Sequence, residues 1–351
     1  MGKKHLVNGA YLLNAFGGLP DLVMKSIPDF MLEKNHCTRE EYLEQLEFYA
    51  IENWSPKKRL FLKLPDTPPP FQISRPDAAS AGGFETVKYP SRYEPANPAL
   101  ANKYRRNTAN LDSYLALWRS SPDSRRPLVL CIHGFLMGQP RRAERMFRVK
   151  SLLARGLDVA LYVQPLHWKR AARNRRQLFL NPNDVPLTIE TFAQNIHDLH
   201  AAVLLLRKLG YEKIGAIGAS LGGYSAALYA AAGPAVDFLF MVVPAIDLSA
   251  FLKPRAGGFS FEINDLIGAQ TRRALEVISP LAYLPRYDVN KMAVVMHGGD
   301  KICDPRFTRQ WVEKWKIPNF VEVAGGHWLY FDHRVRGRTW YGWLERMGFT
   351  T

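Results

Sequence analysis

Gly218-Ala219-Ser220-Leu221-Gly222 stands between a short apolar run, residues 214–217, and an alanine-rich run, residues 224–232. A serine at the sharp turn from a strand into a helix has its hydroxyl exposed for attack on an acyl carbon. Glycines two residues to either side remove the side chains that would collide where strand and helix crowd. The Leu221 N–H, free at the helix N-terminus, is aimed to stabilise the oxyanion that such an attack creates.

A serine hydroxyl is a poor nucleophile until a base takes its proton, and that base needs a carboxylate to hold its tautomer and stabilise the imidazolium. Of nine histidines, His327 is the best base. It lies in Ala324-Gly325-Gly326-His327-Trp328 after the last predicted strand, where paired glycines allow a tight loop to swing the imidazole over the serine. His333, close to the final helix, is the alternative. His197 and His200 are expected to be solvent or groove residues of a long helix, His297 to shape a loop, and His133 to play a structural part beneath the loop that follows it.

Three aspartates are open as the acid. Asp300, in His297-Gly298-Gly299-Asp300, sits one tight turn after a strand and is preferred because it can be held rigidly. Asp304 precedes Pro305 and reads as a helix N-cap, while Asp247 follows an earlier strand. The second oxyanion donor, beside Leu221, is assigned to Phe135 in the loop His133-Gly134-Phe135-Leu136-Met137-Gly138.

These residues need a scaffold that brings strand ends together. From residue 112 onward, strands are predicted at 114–118, 128–132, 157–163, 214–217, 236–243, 293–296 and 320–323. Helices are predicted at 141–153, 189–209, 224–232, 306–316 and 335–347. Such alternation implies an α/β chain with a mostly parallel central sheet flanked by helices. Each candidate falls just after a strand, on the edge where such sheets bind ligands.

Residues 1–110 are expected to form an N-terminal helical extension, with helical spacing over 40–58 until Pro56 stops it, and a proline-rich wrap over 65–98 carrying only short strands such as 84–89. Residues 111–351 form the main domain. An apolar insertion, about 244–285, has the place of a cap, where Phe251, Leu252, Phe259, Phe261 and Leu266 either line a pocket or pack the cap itself.

Composition narrows the classes. The chain has 351 residues and is 47% hydrophobic, with no apolar stretch near the ~20 residues of a membrane span. Its basic start lacks the apolar core of a signal peptide, so a cytoplasmic location is expected. Cys37, Cys131 and Cys303 show no C-x-x-C spacing, which argues against a disulfide framework or a structural zinc. The balance of 47 Lys and Arg against 32 Asp and Glu, a net +15, invites a polyanion. No helix-turn-helix, RRM or zinc-finger signature aims the charge, so nucleic acid is not expected. Solvated helix faces account for the charge most simply, and peripheral contact with an anionic membrane is the alternative. Arg170, Arg173, Arg175 and Arg176 stand on the serine's side of the sheet, where they either meet an anionic headgroup or form a solvated loop.

Taken in order, His133-Gly134-Phe135, Gly218 to Gly222, Gly299-Asp300 and Gly326-His327-Trp328 resemble the α/β-hydrolase superfamily across about residues 112–348. The stretch Gly299-Asp300-Lys301-Ile302-Cys303-Asp304 is similar to the acid loop of monoacylglycerol lipases, whose first aspartate is catalytic. A fainter likeness over 157–223 runs to α/β-hydrolase domain-containing proteins linked to phospholipid deacylation. The resemblance implies the α/β-hydrolase fold and hydrolysis of a carboxylic or lipid-like acyl ester through an acyl-enzyme on Ser220. His327 then acts as base and acid, Asp300 orients it, and no metal or organic cofactor is required. A thioesterase or acyltransferase would use the same triad. A noncatalytic lipid- or nucleic-acid-binding module would keep the fold without needing all three residues.

Overall fold

Every residue of Leu128–Ile132 and of Asp158–Val163 is buried, the mark of strands covered on both faces. The computed structural model describes residues 10–19, 21, 28, 31–54, 64–74, 83–121, 123–172, 177–331 and 333–350. Among them the strands are β1 Gln72–Ser74, β2 Glu85–Pro90, β3 Asp112–Trp118, β4 Leu128–Ile132, β5 Asp158–Val163, β6 Ile214–Ala219, β7 Phe238–Val242, β8 Met292–His297 and β9 Asn319–Val323. They form one sheet in the order β1-β2-β3-β5-β4-β6-β7-β8-β9. Pairings from β5 across to β9 are parallel, and β3, β2 and β1 extend the edge antiparallel.

The α-helices are α1 Ala10–Gly17, α2 Arg39–Phe48, α3 Ala101–Arg105, α4 Pro140–Met146, α5 Val149–Leu153, α6 Val185–Lys208, α7 Leu221–Ala232, α8 Asp265–Leu275, α9 Pro305–Trp315 and α10 His333–Arg346. One sheet face packs on α6, α7 and α9, with α2 and α8 joining the same core. The other packs on α4, α5 and α10 through Phe147, Leu152, Trp340 and Trp343. From β4 the chain passes to β5 on one side, then returns through α6 to β6 on the other side of β4. The loops after β4 and β6 therefore part and open a crevice at the strand C-terminal ends. His133 begins the first of these loops, and Ser220 directly follows β6.

Helix 141–153 is expected to be continuous and is not. Arg148 adopts φ 52° and ψ 48° between α4 and α5, a left-handed break with no glycine or proline to announce it. The helix predicted from residue 40 begins one residue earlier, behind a Thr38/Glu41 capping box, and α2 ends at Phe48.

The first hundred residues bind the later ones closely. β1 and β2 are strands of the common sheet. Deep in α6, the Glu190 carboxylate accepts from the Tyr49 and Tyr93 hydroxyls and from the Ala96 and Asn97 amides. Asp198, one face further along, accepts from Ser91 and Ser113 and pairs with Arg170 at 2.6 Å. Burial requires each carboxylate to be satisfied: Glu190 is satisfied by the N-terminal segment, and Asp198 by Ser91 of that segment together with Ser113, Arg170 and His197.

Of the two roles open to the aromatic residues of the 244–285 insertion, packing is the one seen. Phe259 and Phe261 meet Tyr42 of α2 at ring-centroid distances of 4.9 and 5.9 Å, Leu252 is fully buried, and Leu266 is exposed. No helix among the described residues is long and apolar enough to cross a membrane.

Candidate active site

The elbow is built by close backbone approach. A Cβ on Gly218 would lie 2.2 Å from the Gly222 carbonyl oxygen, and one on Gly222 would lie 2.0 Å from that of Ile132. Both positions therefore exclude any side chain. Ser220 takes φ 55° and ψ −116°, a conformation that a non-glycine residue holds only when its surroundings impose it, at a cost of about 1–3 kcal/mol. Its amide donates to Val242 O at 2.9 Å, and its carbonyl accepts from Tyr224 and Ala245. β7 and α7 thus hold the strained residue from both sides. The Leu221 N–H, first in α7, has no acceptor within its own helix.

Acid and base meet across two loops. His327 Nδ1 donates to Asp300 Oδ2 at 2.7 Å. Asp300 Oδ1 accepts from the amides of Ile302 at 2.9 Å and Cys303 at 2.7 Å, so the carboxylate is fixed on both oxygens. On its other side the imidazole meets the Cys303 thiol, whose Sγ lies 3.8 Å from Ser220 Oγ. Among the described residues Ser220 and His327 make no direct hydrogen bond, and Cys303 stands beside both. Burial disfavours the imidazolium, but the Asp300 carboxylate on Nδ1 outweighs it and holds the His327 pKa well above its ordinary value. Burial pushes the Cys303 thiol up. Asp300, Cys303 and His327 place one donor atom each within 4.8 Å of one another, a set in which the His327–Asp300 hydrogen bond already uses Nδ1.

The alternatives are placed elsewhere. Asp304 caps α9, accepting the Arg306 amide at 2.9 Å. Asp247 accepts from Ser249. His333 is exposed at the start of α10, with its ring 4.2 Å from that of Tyr330. His297 Nδ1 donates to Gly326 O at 2.8 Å and so ties the acid strand to the histidine loop. His197 and His200, expected in solvent or a groove, are instead packed: His197 against Asp198, and His200 onto the Tyr229 hydroxyl at 2.8 Å. Arg170 is spent on its buried pair with Asp198 and cannot meet a headgroup. Arg173, Arg175 and Arg176 lie outside the described residues.

The loop after β4 passes beside the serine. A Cβ on Gly134 would stand 3.5 Å from both Ala219 O and Ser220 Cβ. His133 is fully buried, donating from Nδ1 to Gly134 O at 2.8 Å and accepting the Gln164 amide at Nε2. The next peptide is set by a residue that sequence reasoning passed over. His167 Nε2 accepts the Leu136 amide at 3.0 Å, while its Nδ1 donates to Pro165 O. Burial lowers the His167 pKa to about 4, so the neutral imidazole offers a permanent acceptor. The Leu136 amide is thereby engaged, and the Phe135 amide precedes it in the loop.

Two further residues escaped the sequence. α1 lies against both loops of the acid–base pair: Asn14 Oδ1 accepts the Gly325 amide at 2.8 Å. Asp21 Oδ2 accepts those of Lys301 at 3.0 Å and His327 at 2.8 Å. The approach is so close that a Cβ on Gly17 would stand 2.5 Å from Gly326 N. Gly17-Gly18 opposite Gly325-Gly326 was the signal, visible only once the partners are known.

The profile of the Alpha/beta hydrolase family matches residues 129–336. Uncharacterized proteins from two strains of Mycobacterium tuberculosis are 28% identical over 316 residues, 88% of this chain and 75% of theirs. Among solved structures, an acetyl xylan esterase from Paenibacillus sp. R4 superposes with a TM-score of 0.53 at 12% identity, covering 93% of this chain and 99% of that one. Oligopeptidase B from Trypanosoma brucei gives a TM-score of 0.50 at 12% identity, over 68% of this chain and 36% of its own. At such identities the likeness is one of fold.

Proposed function

The chain belongs to the alpha/beta hydrolase family, and on that premise we propose that it is a serine hydrolase cleaving a carboxylic ester through an acyl-enzyme on Ser220. His327 takes the Ser220 proton as Oγ bonds to the acyl carbon. The Leu221 and Phe135 amides receive the oxyanion, and His327 returns the proton to the departing alcohol. Water, deprotonated by the same imidazole, then attacks the acyl carbon and frees Ser220. Asp300 keeps Nδ1 protonated throughout, so that the opposite nitrogen is the base. The observation that carries this reading is the 2.7 Å bond between buried Asp300 and His327 beside the strained Ser220. Contacts between nucleophile and base are commonly long before substrate arrives and tighten on binding, which accommodates Cys303 beside Ser220.

A lipophilic acyl group is the substrate class we favour. Leu136, Trp328 and Leu329, each next to or close behind a residue with a proposed role, are 44%, 51% and 37% exposed. Apolar side chains left in water around a reactive serine gain by covering an alkyl chain. A p-nitrophenyl ester series of increasing chain length, with Ser220→Ala as control, tests the reading. Turnover rising with chain length and abolished in Ser220→Ala supports it, and turnover that survives the substitution sinks it.

A further inference from the structure

On the sheet face covered by α4, α5 and α10 lies a cavity of about 80 Å³. Its floor is apolar, made by Ile217 and Ala219 of β6, and its wall carries Arg148, Arg336, His333 and Tyr330. Space of that size holds a few waters or one small oxyanion, the volume per water-sized probe being roughly 10–15 Å³.

The charge in this wall is unbalanced. Arg336 lies with its guanidinium carbon 4.8 Å from the Tyr330 ring centroid, and neither it nor Arg148 has an acidic partner among the described residues. Burial lowers the Arg336 pKa, Tyr330 opposes the shift, and the neighbouring charge of Arg148 adds to it. The same positive field reaches further. The His297 ring, stacked at 4.6 Å on Tyr330, is lowered to about 3, first by burial and then by Arg336. Arg336, half-buried, and Arg148, exposed, line one cavity that has no carboxylate among its lining residues, and planar guanidinium forks fit the oxygens of phosphate groups. The left-handed backbone at Arg148, φ 52°, is the break between α4 and α5 at which this side chain joins the wall, and such strain concentrates at ligand clamps.

We propose that this cavity is an oxyanion site that takes a phosphate group, free or as a headgroup, between Arg148 and Arg336. Its floor residue Ala219 precedes Ser220, yet the site uses none of the groups assigned to ester cleavage and stands or falls apart from that reading.

The test is titration calorimetry of the full chain with inorganic phosphate, alongside cosedimentation with phosphatidylglycerol vesicles and with phosphatidylcholine vesicles. Variants are Arg336→Gln, the exposed Arg148→Gln in case the first does not fold, and Lys291→Gln. The last removes one charge from the turn before β8, at the N-terminal end of the strands, whereas the cavity lies by the later residues of β6 and β7. Saturable phosphate binding, weakened about tenfold or more in the arginine variants and unchanged in Lys291→Gln, supports a free anion as ligand. No phosphate binding, but cosedimentation with phosphatidylglycerol and not phosphatidylcholine that shows the same arginine dependence, supports a headgroup. Equal weakening in all three variants, reporting only the net charge, or no binding in either arm, overturns the proposal.

Discussion

Asp21 and His327 are joined across 306 positions of chain: one carboxylate oxygen of Asp21 accepts the His327 backbone N–H at 2.8 Å while also accepting that of Lys301. Lys301 follows Asp300, so a single fully buried residue pins the loops that carry both members of the hydrogen-bonded pair. The N-terminal segment, outside the part matched by the family profile, therefore sets the separation of Asp300 and His327.

Truncation of that carboxylate should misplace the imidazole without touching substrate. We expect Asp21→Ala to lower kcat by roughly ten- to hundredfold with KM little changed, and Asp21→Asn, which keeps an amide-accepting oxygen, to recover most of the loss. Steady-state kinetics on both variants, with circular dichroism to confirm folding, decide it. Full activity in Asp21→Ala would show that the two loops hold themselves.

Ionisation of His327 should govern the acid limb of the pH profile. The base must be neutral, and its pKa is held above the ordinary 6.5. kcat/KM should therefore fall as pH is lowered, with a midpoint above that value. Asp300→Asn lowers kcat by about 10⁴-fold, because Nδ1 loses its acceptor. A midpoint at or below 6.5 in the unmodified protein would contradict the assignment.

His167 gives a separate handle on the oxyanion loop. Replacing it by leucine frees the Leu136 amide and loosens the peptide that carries Phe135. A loss of about ten- to hundredfold in kcat is expected, with rescue by His167→Gln, whose side-chain carbonyl can accept. With its pKa near 4, His167 is neutral across the working range, so neither variant should shift the pH midpoint. A shifted midpoint with unchanged kcat would place its influence on His327 instead.

Much of the main sheet was legible because its determinants are local. Apolar runs such as 128–132 and 214–217, alternating with helical stretches, are the pattern of a parallel sheet covered on both faces, and the glycines at 218, 222, 325 and 326 mark close approaches that no other residue permits. The order of strands and loops then brings residues 135, 220, 300 and 327 to one edge. What stayed hidden depends on partners distant in sequence. Asn14 and Asp21 look like ordinary helix residues until Gly325 and His327 stand opposite them. Arg170 reads as one more basic residue until Asp198 is found buried beside it. The break at Arg148 has no local signature, since arginine is neither a helix breaker nor prone to a left-handed backbone.

The central claim, that Ser220 is an activated nucleophile, is tested most directly by mass-spectrometric mapping of the protein after reaction with a fluorophosphonate probe. The account predicts stoichiometric labelling at Ser220, lost in Ser220→Ala and strongly slowed in His327→Ala. A folded protein that leaves Ser220 unlabelled, or labels it equally fast without His327, would contradict it.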